Sequence, residues 1–295
     1  MLNPDSSKIT NKRIQLLEMH MFKINVKSRS LLVKAILIII LVLIILFHAI
    51  HALTLDLIVV YEDISFTSKN IPQELDGYVI AFITDTHVQF RKRLSDVVAE
   101  LNQRQIDLIL LGGDFTYDHD DLEKTMDLIS QLKTVDGIYG IAGNHDHQET
   151  LLPAFQKHNI TPLVNSGLYI HEGFYLAGVE DLWKGKPDIS SAIKGANDDS
   201  FILLLAHNPD TSMKQDTTGV DYILCGHTHG GQFNLFGFLS IGLDTGVISH
   251  YGNRFHGGWA LSQDGTPVYV SRGLGEYYPR VFARPEVTLI TLVRE

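Results

Sequence analysis

The sequence predicts an α/β domain that is preceded by one N-terminal transmembrane helix. Residues 31–50 read LLVKAILIIILVLIILFHAI, which is long and apolar enough for a membrane span. From residue 55 onward, short apolar runs alternate with polar segments of helical character. The runs are nearly continuous in Ile, Leu and Val, which is typical of parallel strands buried on both faces.

The apolar stretch fits a membrane anchor better than a core helix. Twenty residues at the helical rise reach about 30 Å, the hydrocarbon thickness of a bilayer. A helix that is apolar on every face and follows a basic leader is typical of a membrane span. Cleavage as a signal peptide would put Ile50 where a small residue is preferred, which favours an uncleaved anchor. We expect a basic leader over residues 1–30, the anchor over 31–52 and a folded domain over 53–295.

The charge pattern predicts the orientation of the anchor. Only two acidic residues lie in the leader, whereas Asp56, Glu62 and Asp63 closely follow the anchor. By the positive-inside rule, we expect a single-pass protein of the cell membrane with a cytoplasmic N-terminus and the large domain outside. The basic residues before the anchor, or within it near its start, are Lys8, Lys12, Arg13, Lys23, Lys27, Arg29 and Lys34.

Composition excludes several classes of protein. The chain has 295 residues and a formal net charge of −10, and its basic leader means that the remainder is more acidic still. Nucleic-acid binding is not expected, because it relies on Lys and Arg to neutralise phosphates. The single cysteine, Cys225, excludes an intramolecular disulfide or a CxxC motif, and we expect it to be a small buried hydrophobe. The oligomeric state is not predicted.

The order of the elements indicates βαβ units. Helices are predicted over residues 94–104, 121–133 and 149–158, and they lie between apolar runs that predict strands. Residues 230–258 are rich in Gly and give no assignment. The strand-like runs are LDLIVVYEDISF, YVIAFITDTH, IDLILLGGDF, GIYGIAGNHD, FYLAGVEDLW, FILLLAHNPD, DYILCGHTHGG, TPVYVSRGLG and EVTLITLVR.

Five of these strands end in short groups of Asp, Asn or His. The carboxyl ends of parallel strands open into one crevice, so the groups are expected to meet there. Taken singly, each group is equally consistent with a turn, a helix N-cap or a structural histidine. Five strands with this ending, four of them with His, favour a metal site. The groups hold Asp85 and His87, Asp114 and Asp118, Asn144, His145 and Asp146, His207, and His227 and His229.

The types of ligand restrict the metal. Carboxylate, amide oxygen and imidazole without thiolate suit Mn, Zn or Fe, whereas so many imidazoles disfavour Mg or Ca. The groups offer more ligands than one tetrahedral ion needs. This excess indicates two divalent metal ions that share a bridging carboxylate, an arrangement used for in-line displacement at phosphorus.

The ordered series DTH, GGDF, GNHD, AHNPD and GHTHGG, from Tyr78 to about Gly231, resembles the calcineurin-like metallophosphoesterases. The segments WALSQDGTPVYVSRGLG and RPEVTLITL near the C-terminus resemble its membrane-associated YkuE/YaeI/LpxG-like branch. The resemblance implies a calcineurin-like βαβ sandwich, with central sheets flanked by helices. It also implies a metal-dependent phosphoric ester hydrolase in which a metal-bridging hydroxide attacks phosphorus.

The resemblance also implies a role for each motif residue. His145 matches the histidine that stabilises a phosphoryl oxygen or protonates the leaving group, and Asp146 is expected to orient its imidazole. Asp118 is expected to form hydrogen bonds and not to bind metal. The implied ligands are Asp85, His87 and His229 for the first ion, Asn144, His207 and His227 for the second, and Asp114 for both.

Basic residues outside these motifs are candidates for binding anions. The run RKR at 91–93 is consistent with contact to an anionic substrate or to anionic lipid headgroups, and equally with an ordinary exposed helix start. One of Arg254, Arg272 and Arg280 is a candidate to hold a phosphate, and the sequence does not select among them.

The leading hypothesis is a membrane-anchored phosphoesterase with two metal ions. The bond cleaved would be a phosphodiester, phosphomonoester or pyrophosphate bond in an envelope or lipid-linked substrate. One alternative is a UDP-2,3-diacylglucosamine pyrophosphatase of lipid A synthesis, although its nucleotide-linked substrate is cytoplasmic. The other is a metal-binding scaffold of phosphoesterase fold, which is expected to lack several ligands that are all present here.

Overall fold

Two six-stranded sheets form the centre of the larger of two units, Met1–Ile50 and His51–Glu295, into which the chain divides. The computed structural model describes residues 5–88, 92–116, 121–244, 246, 248–275 and 279–295. In the smaller unit, the described residues belong to helix α1 (Asp5–Leu53). The segment Arg29–Leu57 is long and apolar enough to cross a membrane, judged by length and composition.

The strands of the larger unit lie close to the predicted runs. The first predicted run begins with the 3-10 helix Leu55–Leu57, and its strand starts only at Val60. The strands are β1 (Val60–Ser68), β2 (Val79–Ile83), β3 (Leu108–Leu111), β4 (Ile138–Gly140), β5 (Ile160–Pro162), β6 (Ser166–His171), β7 (Phe174–Gly178), β8 (Phe201–Leu205), β9 (Tyr222–Cys225), β10 (Asn234–Leu235), β11 (Leu239–Ser240), β12 (Gly258–Leu261), β13 (Pro267–Val270) and β14 (Glu286–Arg294).

The helices of the larger unit include the three that the sequence predicts. Residues 230–258, for which the sequence gives no assignment, include the hairpin β10–β11 and a short helix. The α-helices are α2 (Lys92–Leu101), α3 (Leu122–Ile129), α4 (Gln148–Lys157), α5 (Ile189–Ile193) and α6 (Ile241–Asp244), and further 3-10 helices are Gln73–Leu75, Pro209–Met213, His229–Gly231 and Gly252–Phe255.

Both sheets have parallel strands at their centres. The first has the order β1-β14-β2-β3-β4-β5, in which only the pair β14 and β2 is antiparallel. The second has the order β12-β13-β9-β8-β7-β6, and its outer pairs β12–β13 and β6–β7 are antiparallel. The predicted α/β class with central sheets flanked by helices is therefore confirmed.

Alternate residues of β2 face two different cores. Ile80 and Phe82 lie in the core between the two sheets, whereas Ala81 and Ile83 lie in the core between the first sheet and helices α2 to α4. A third core packs α5 against the outer face of the second sheet. Because the central strands are buried on both faces, they read as continuous apolar runs.

This topology brings the five motifs to one edge. Strands β2, β3 and β4 are parallel neighbours in the first sheet, and β8 and β9 are parallel neighbours in the second. Each of the five is followed within four residues by a motif residue. Backbone hydrogen bonds join the loops: Asp85 N–H donates to the carbonyl of Gly113, and Gly226 N–H donates to that of His207.

Candidate metal centre

The residues assigned to the first ion lie together. The Nε2 atom of His229 is 3.4 Å from Oδ1 of Asp85 and 3.2 Å from Nε2 of His87. Ligand atoms of these three residues all lie within 4.8 Å of one another. Asp85 and His87 are buried and follow β2, whereas His229 follows β9, so the two sheets contribute to one group.

The residues assigned to the second ion form an adjoining group. The Oδ1 atom of Asn144 lies 3.2 Å from Nε2 of His207 and 2.7 Å from Nδ1 of His227. The imidazoles of His207 and His227 have centroids 5.3 Å apart. These residues follow β4, β8 and β9, and each has at least nine-tenths of its surface buried.

Asp114 lies between the two groups. Its Oδ2 atom is 3.5 Å from Nε2 of His87 and 3.3 Å from Nε2 of His207. Asp85 is also close to both groups, because its Oδ1 atom is 3.9 Å from Nε2 of His207. Ligand atoms of Asp85, Asp114 and His207 lie within 4.8 Å of one another. The structure thus brings all seven predicted ligands together.

Backbone carbonyls orient two of the imidazoles. The carbonyl of Gly112 is 2.7 Å from Nδ1 of His207, and the carbonyl of Ile248 is 3.1 Å from Nε2 of His227. A carbonyl only accepts, so these ring nitrogens carry N–H groups and the other nitrogen of each ring faces Asn144. Metal-binding histidines are commonly fixed in this way.

The electrostatics of the centre fit cations. Burial alone would raise the pKa values of Asp85 and Asp114, but nearby histidines, chiefly His207, keep both below their usual range. Burial and the charge of His207 lower the pKa of His227 to about 4, so at neutral pH its Nδ1 lone pair faces the Asn144 oxygen at 2.7 Å. Two acceptors at that distance repel unless a cation lies beside both, and buried carboxylates also need positive partners.

Two further pKa values reflect the same opposing effects. Burial disfavours the charged form of His207, but Asp114 and Asp85 outweigh burial and raise its pKa. Burial lowers the pKa of His87 to about 3, and the charge of His229 adds to this effect. His207 therefore tends to hold a proton where a cation would otherwise compensate the carboxylates.

Five of the seven predicted ligands have left-handed backbone conformations, which residues other than glycine rarely adopt. Such strain persists where surrounding contacts fix it, and it concentrates at functional sites. The φ angles are 50° for Asp85, 37° for His87, 56° for Asp114, 69° for His227 and 52° for His229.

Two motif glycines leave space for the carboxylates. A Cβ atom on Gly226 would overlap the carboxylate of Asp85 and the hydroxyl of Thr84, and a Cβ atom on Gly143 would overlap the carboxylate of Asp114. The close approach of the GHTH and GNHD loops to the two aspartates therefore requires glycine at both positions.

His145 lies at the mouth of the centre. Its side chain is exposed and lines the same cavity as the ligands, and its ring packs edge-on against His87 with centroids 5.3 Å apart. Its backbone N–H donates to Oδ1 of Asp114 over 2.7 Å. An exposed imidazole there can contact a substrate without binding metal itself.

Asp146 makes contacts other than those expected. Its carboxylate accepts hydrogen bonds from the backbone N–H groups of Asp114 at 2.7 Å, Gly143 at 2.8 Å and Phe115 at 3.1 Å. Within the described residues, no hydrogen bond joins it to the imidazole of His145. Burial and the charge of Asp114 raise the pKa of Asp146 to about 7, against the effect of the three N–H donors. Through these contacts Asp146 joins the loops after β3 and β4, and its expected role in orienting His145 stays a prediction.

A cavity of about 270 Å³ opens over the centre. It includes Trp183, whose ring is edge-on to His227 with centroids 4.4 Å apart. Sequence reasoning missed Trp183 because the residues after β7 lack the His and Asn that marked the other strand ends. The cavity is lined by His87, Asp114, Asn144, His145, Trp183, His227, Thr228, His229, Gln232 and Ile248.

The three candidate arginines have other partners, and none is among the described residues that line this cavity. Arg280 is fully buried and donates to the carbonyls of Arg272 and Ala283 at 3.0 Å. Arg272 pairs with Glu286 over 2.9 Å, and Arg254 donates to the carbonyl of Leu261 over 2.9 Å. The Nη2 atom of Arg280 is also 3.4 Å from Nδ1 of the predicted ligand His229, and a phosphate-holding role for one of these arginines stays a prediction. Asp118 and Arg91 lie outside the described residues.

Comparison with known proteins identifies the family. The calcineurin-like phosphoesterase family model matches residues 78–231, the part of the chain that carries the five motifs. The chain belongs to this family and is a hydrolase of the metallophosphoesterase type.

Two bacterial relatives lie in the same branch. The metallophosphoesterase YkuE of Bacillus subtilis is 30% identical over 246 residues, which cover 76% of this chain and 82% of the relative. The phosphodiesterase YaeI of Escherichia coli is 31% identical over 243 residues, which cover 73% and 82% respectively. A transmembrane protein with metallophosphoesterase domain from Danio rerio is 28% identical, with 78% of this chain and 56% of that longer protein covered.

Proposed function

We propose that this chain is a membrane-anchored phosphoesterase that binds two divalent metal ions and hydrolyses a phosphodiester, phosphomonoester or pyrophosphate bond in an envelope or lipid-linked substrate. The observation that carries the proposal is the position of Asp114, with one carboxylate oxygen within 3.5 Å of histidines from two adjoining ligand groups. A carboxylate shared in this way would hold two ions close together, as two-metal phosphoester hydrolysis requires.

The seven proposed ligands form two sets, one for each ion, that share Asp114. Asp85, His87 and His229 would hold one ion, with Asp114 shared between both ions. Bound divalent ions would polarise phosphoryl oxygens and lower the pKa of water, which makes water a nucleophile at neutral pH. The remaining ligands, assigned to the second ion, are Asn144, His207 and His227.

The chain's own residues would position the substrate and supply a proton. Hydrolysis joins a water oxygen to phosphorus, breaks the bond between phosphorus and the leaving oxygen, and requires a proton on that oxygen. His145, exposed at the mouth of the cavity, is our candidate donor or partner of a phosphoryl oxygen. Trp183 offers an aromatic face to the rest of the substrate.

We also propose that residues 31–52 anchor the protein and that residues 53–295 form the catalytic domain. The basic leader supports a cytoplasmic N-terminus and a catalytic domain outside, which favours an envelope substrate. The apolar segment Arg29–Leu57 and the transmembrane relative from Danio rerio support an anchor.

Metal analysis and hydrolysis together test the proposal. We expect the full chain, purified in detergent, to contain close to two Mn, Zn or Fe ions and to hydrolyse bis(p-nitrophenyl) phosphate or the monoester. Chelation should abolish the activity, and adding back metal should restore it. Full activity without metal would refute the proposal.

A substrate panel tests the proposed class of substrate, and a topology reporter tests the proposed orientation in the membrane. The panel comprises phosphodiesters, glycerophospholipids and UDP-2,3-diacylglucosamine, assayed with metal-loaded protein. A reporter fused after Glu295 should be active outside the cytoplasm. A reporter active only inside would overturn the proposed orientation and favour the nucleotide-linked lipid.

A further inference from the structure

A short hairpin beside the metal centre exposes aromatic side chains. Strands β10 and β11 pair with Asn234 opposite Ser240, and their loop is Phe236, Gly237 and Phe238. Phe238 is 65% exposed and Phe236 is 49% exposed, and their rings stack with centroids 6.4 Å apart. Neighbouring exposed apolar side chains commonly mark an interaction surface.

The hairpin turn holds an aromatic residue in a strained conformation. Phe236 has a φ of 54° and is followed by Gly237 at 83°. A bulky residue rarely adopts a left-handed conformation, whereas Asn or Gly would adopt it at less cost. The phenyl ring is thus present at the tip despite a cost to folding, which points to a use at the surface.

The hairpin packs where the chain leaves helix α1. The backbone N–H of Asn234 donates to the carbonyl of Val281 over 2.9 Å. The next residue, Phe282, stacks on the ring of His51 with centroids 3.8 Å apart, and its N–H donates to Asp56 over 2.9 Å. The hairpin and the residues at the end of the apolar helix therefore both contact residues 281–282.

Further apolar side chains are exposed at this point. The residues after helix α1 include Leu55, Leu57 and Ile58, all of them exposed. Together with the hairpin tip they define a region that we call the junction surface, formed by Leu55, Leu57, Ile58, Phe236, Phe238 and Leu239.

A basic residue borders the junction surface. The guanidinium of Arg93 donates to the carbonyl of Leu57, and to those of Leu274 at 3.1 Å and Gly275 at 2.7 Å. Lys92 beside it is exposed and pairs with Asp96. Apolar side chains next to cations match the acyl and headgroup layers of an anionic membrane.

The base of the hairpin is also continuous with the metal centre. Gln232 lines the cavity and lies between the ligand His229 and the hairpin. Its carbonyl accepts a hydrogen bond from Val281 N–H over 3.0 Å. The hairpin and this part of the cavity lining are therefore joined through backbone hydrogen bonds to Val281.

We propose that the junction surface inserts into the lipid leaflet around the anchor, so that the cavity opens at the bilayer surface toward a phosphoester whose apolar part stays in the leaflet. This inference rests on the proposed membrane anchor. Lipid is the occupant because Leu55 and Leu57 of the surface belong to the end of the chain's own apolar segment, and Arg93 borders it.

Fluorescence quenching tests the insertion. Full-length Phe238→Trp protein is placed in nanodiscs of phosphatidylcholine and phosphatidylglycerol, with or without brominated acyl chains. The matched control is Val135→Trp, since Val135 is 78% exposed and bonds to Asp107 at the amino end of the parallel strands, opposite the metal centre. Subtracting the signal of the unaltered chain removes Trp183 and Trp259.

Brominated lipid should reduce the added fluorescence of Phe238→Trp at least about twofold, because an interfacial ring lies about 5–10 Å into the headgroup boundary. The control should be unaffected. Equal quenching of both variants, or of neither, would overturn the inference. So would cross-linking through the hairpin between two copies, which would show that a second chain covers it.

Two measurements separate this inference from the proposed function. Metal-dependent hydrolysis of bis(p-nitrophenyl) phosphate should be unchanged in Phe238→Trp, which also shows that the variant folds. Phe236→Trp is the second probe should the first variant misfold. Quenching without hydrolysis would support the inserted surface and count against the phosphoesterase proposal. Hydrolysis without quenching would support the phosphoesterase proposal and overturn the inserted surface.

Discussion

The predicted ligands of the centre are held in place by hydrogen bonds between loops. A left-handed residue such as Asp85 costs of order 1–3 kcal/mol, which must be offset elsewhere. The backbone N–H of His227 donates to both carboxylate oxygens of Asp85 at 3.0 Å, and the hydroxyl of Thr84 donates to one of them at 2.8 Å. These contacts fix the direction of the carboxylate before any cation binds.

Asp114→Ala is expected to abolish activity, because Asp114 lies between both ligand groups. Loss of the paired ions would remove several kcal/mol of charge stabilisation, so the hydrolysis rate should fall about a thousandfold or more. Metal content and the rate with bis(p-nitrophenyl) phosphate are the measurements. Asp118→Ala is the comparison, and equal losses in both variants would mean that the shared ligand has been misassigned.

Gly226→Ala is expected to displace the carboxylate of Asp85, which the added methyl group would overlap. We expect metal content to fall and the free energy of unfolding to drop by about 1–3 kcal/mol. Gly219→Ala is the control, because its φ is 89° but its Cβ would meet no atom within 4 Å. The control should lose stability because alanine disfavours this backbone conformation, yet it should keep its metal. Metal loss in both variants would contradict the steric explanation.

At the scale of elements, the geometry of the centre depends on how the loops after β3 and β4 are joined. Strands β3 and β4 are neighbours in the first sheet, and Asp146 joins the loops that follow them through three backbone N–H groups. Since Asp114 lies in one of these loops and Asn144 in the other, the relative position of two ligands depends on this carboxylate.

Asp146→Asn should therefore weaken the fold as well as activity. An amide has one acceptor oxygen where the carboxylate has two, so at least one of the three backbone N–H groups loses its partner, at a cost of about 1–3 kcal/mol. Chemical denaturation of metal-free protein measures the loss. The exposed cap Asp188→Asn is the control and should cost less. A lower turnover rate with unchanged stability would instead favour the original expectation that Asp146 orients His145.

The sequence predicts the central elements well and the peripheral ones poorly. Strands such as β2, β3 and β8 are buried on both faces, so their apolar runs identify them directly. By contrast, β6 is partly exposed and β10 has only two residues, which leaves no periodic pattern to read. The motifs identify residues that the structure brings together, but the partners of Asp146 and the position of Trp183 depend on contacts between loops that are distant in sequence.

For the whole molecule, metal should stabilise the domain that contains residues 51–295. Two buried carboxylates, Asp85 and Asp114, lie among histidines at the ends of both sheets, so bound cations would connect the two halves of the domain. A ligand that binds only the folded state, at a thousand times its dissociation constant, adds about 4 kcal/mol to the free energy of unfolding.

Chelation is therefore expected to lower the melting temperature of this domain while helix α1 keeps its structure, because α1 lies largely in a separate unit. Near-ultraviolet circular dichroism follows the domain, and far-ultraviolet dichroism at high temperature reports the residual helix. In Asp114→Ala protein the melting temperature should no longer respond to chelator. A wild-type domain that melts at the same temperature with and without metal would show that the cations contribute to hydrolysis and not to the connection between the sheets.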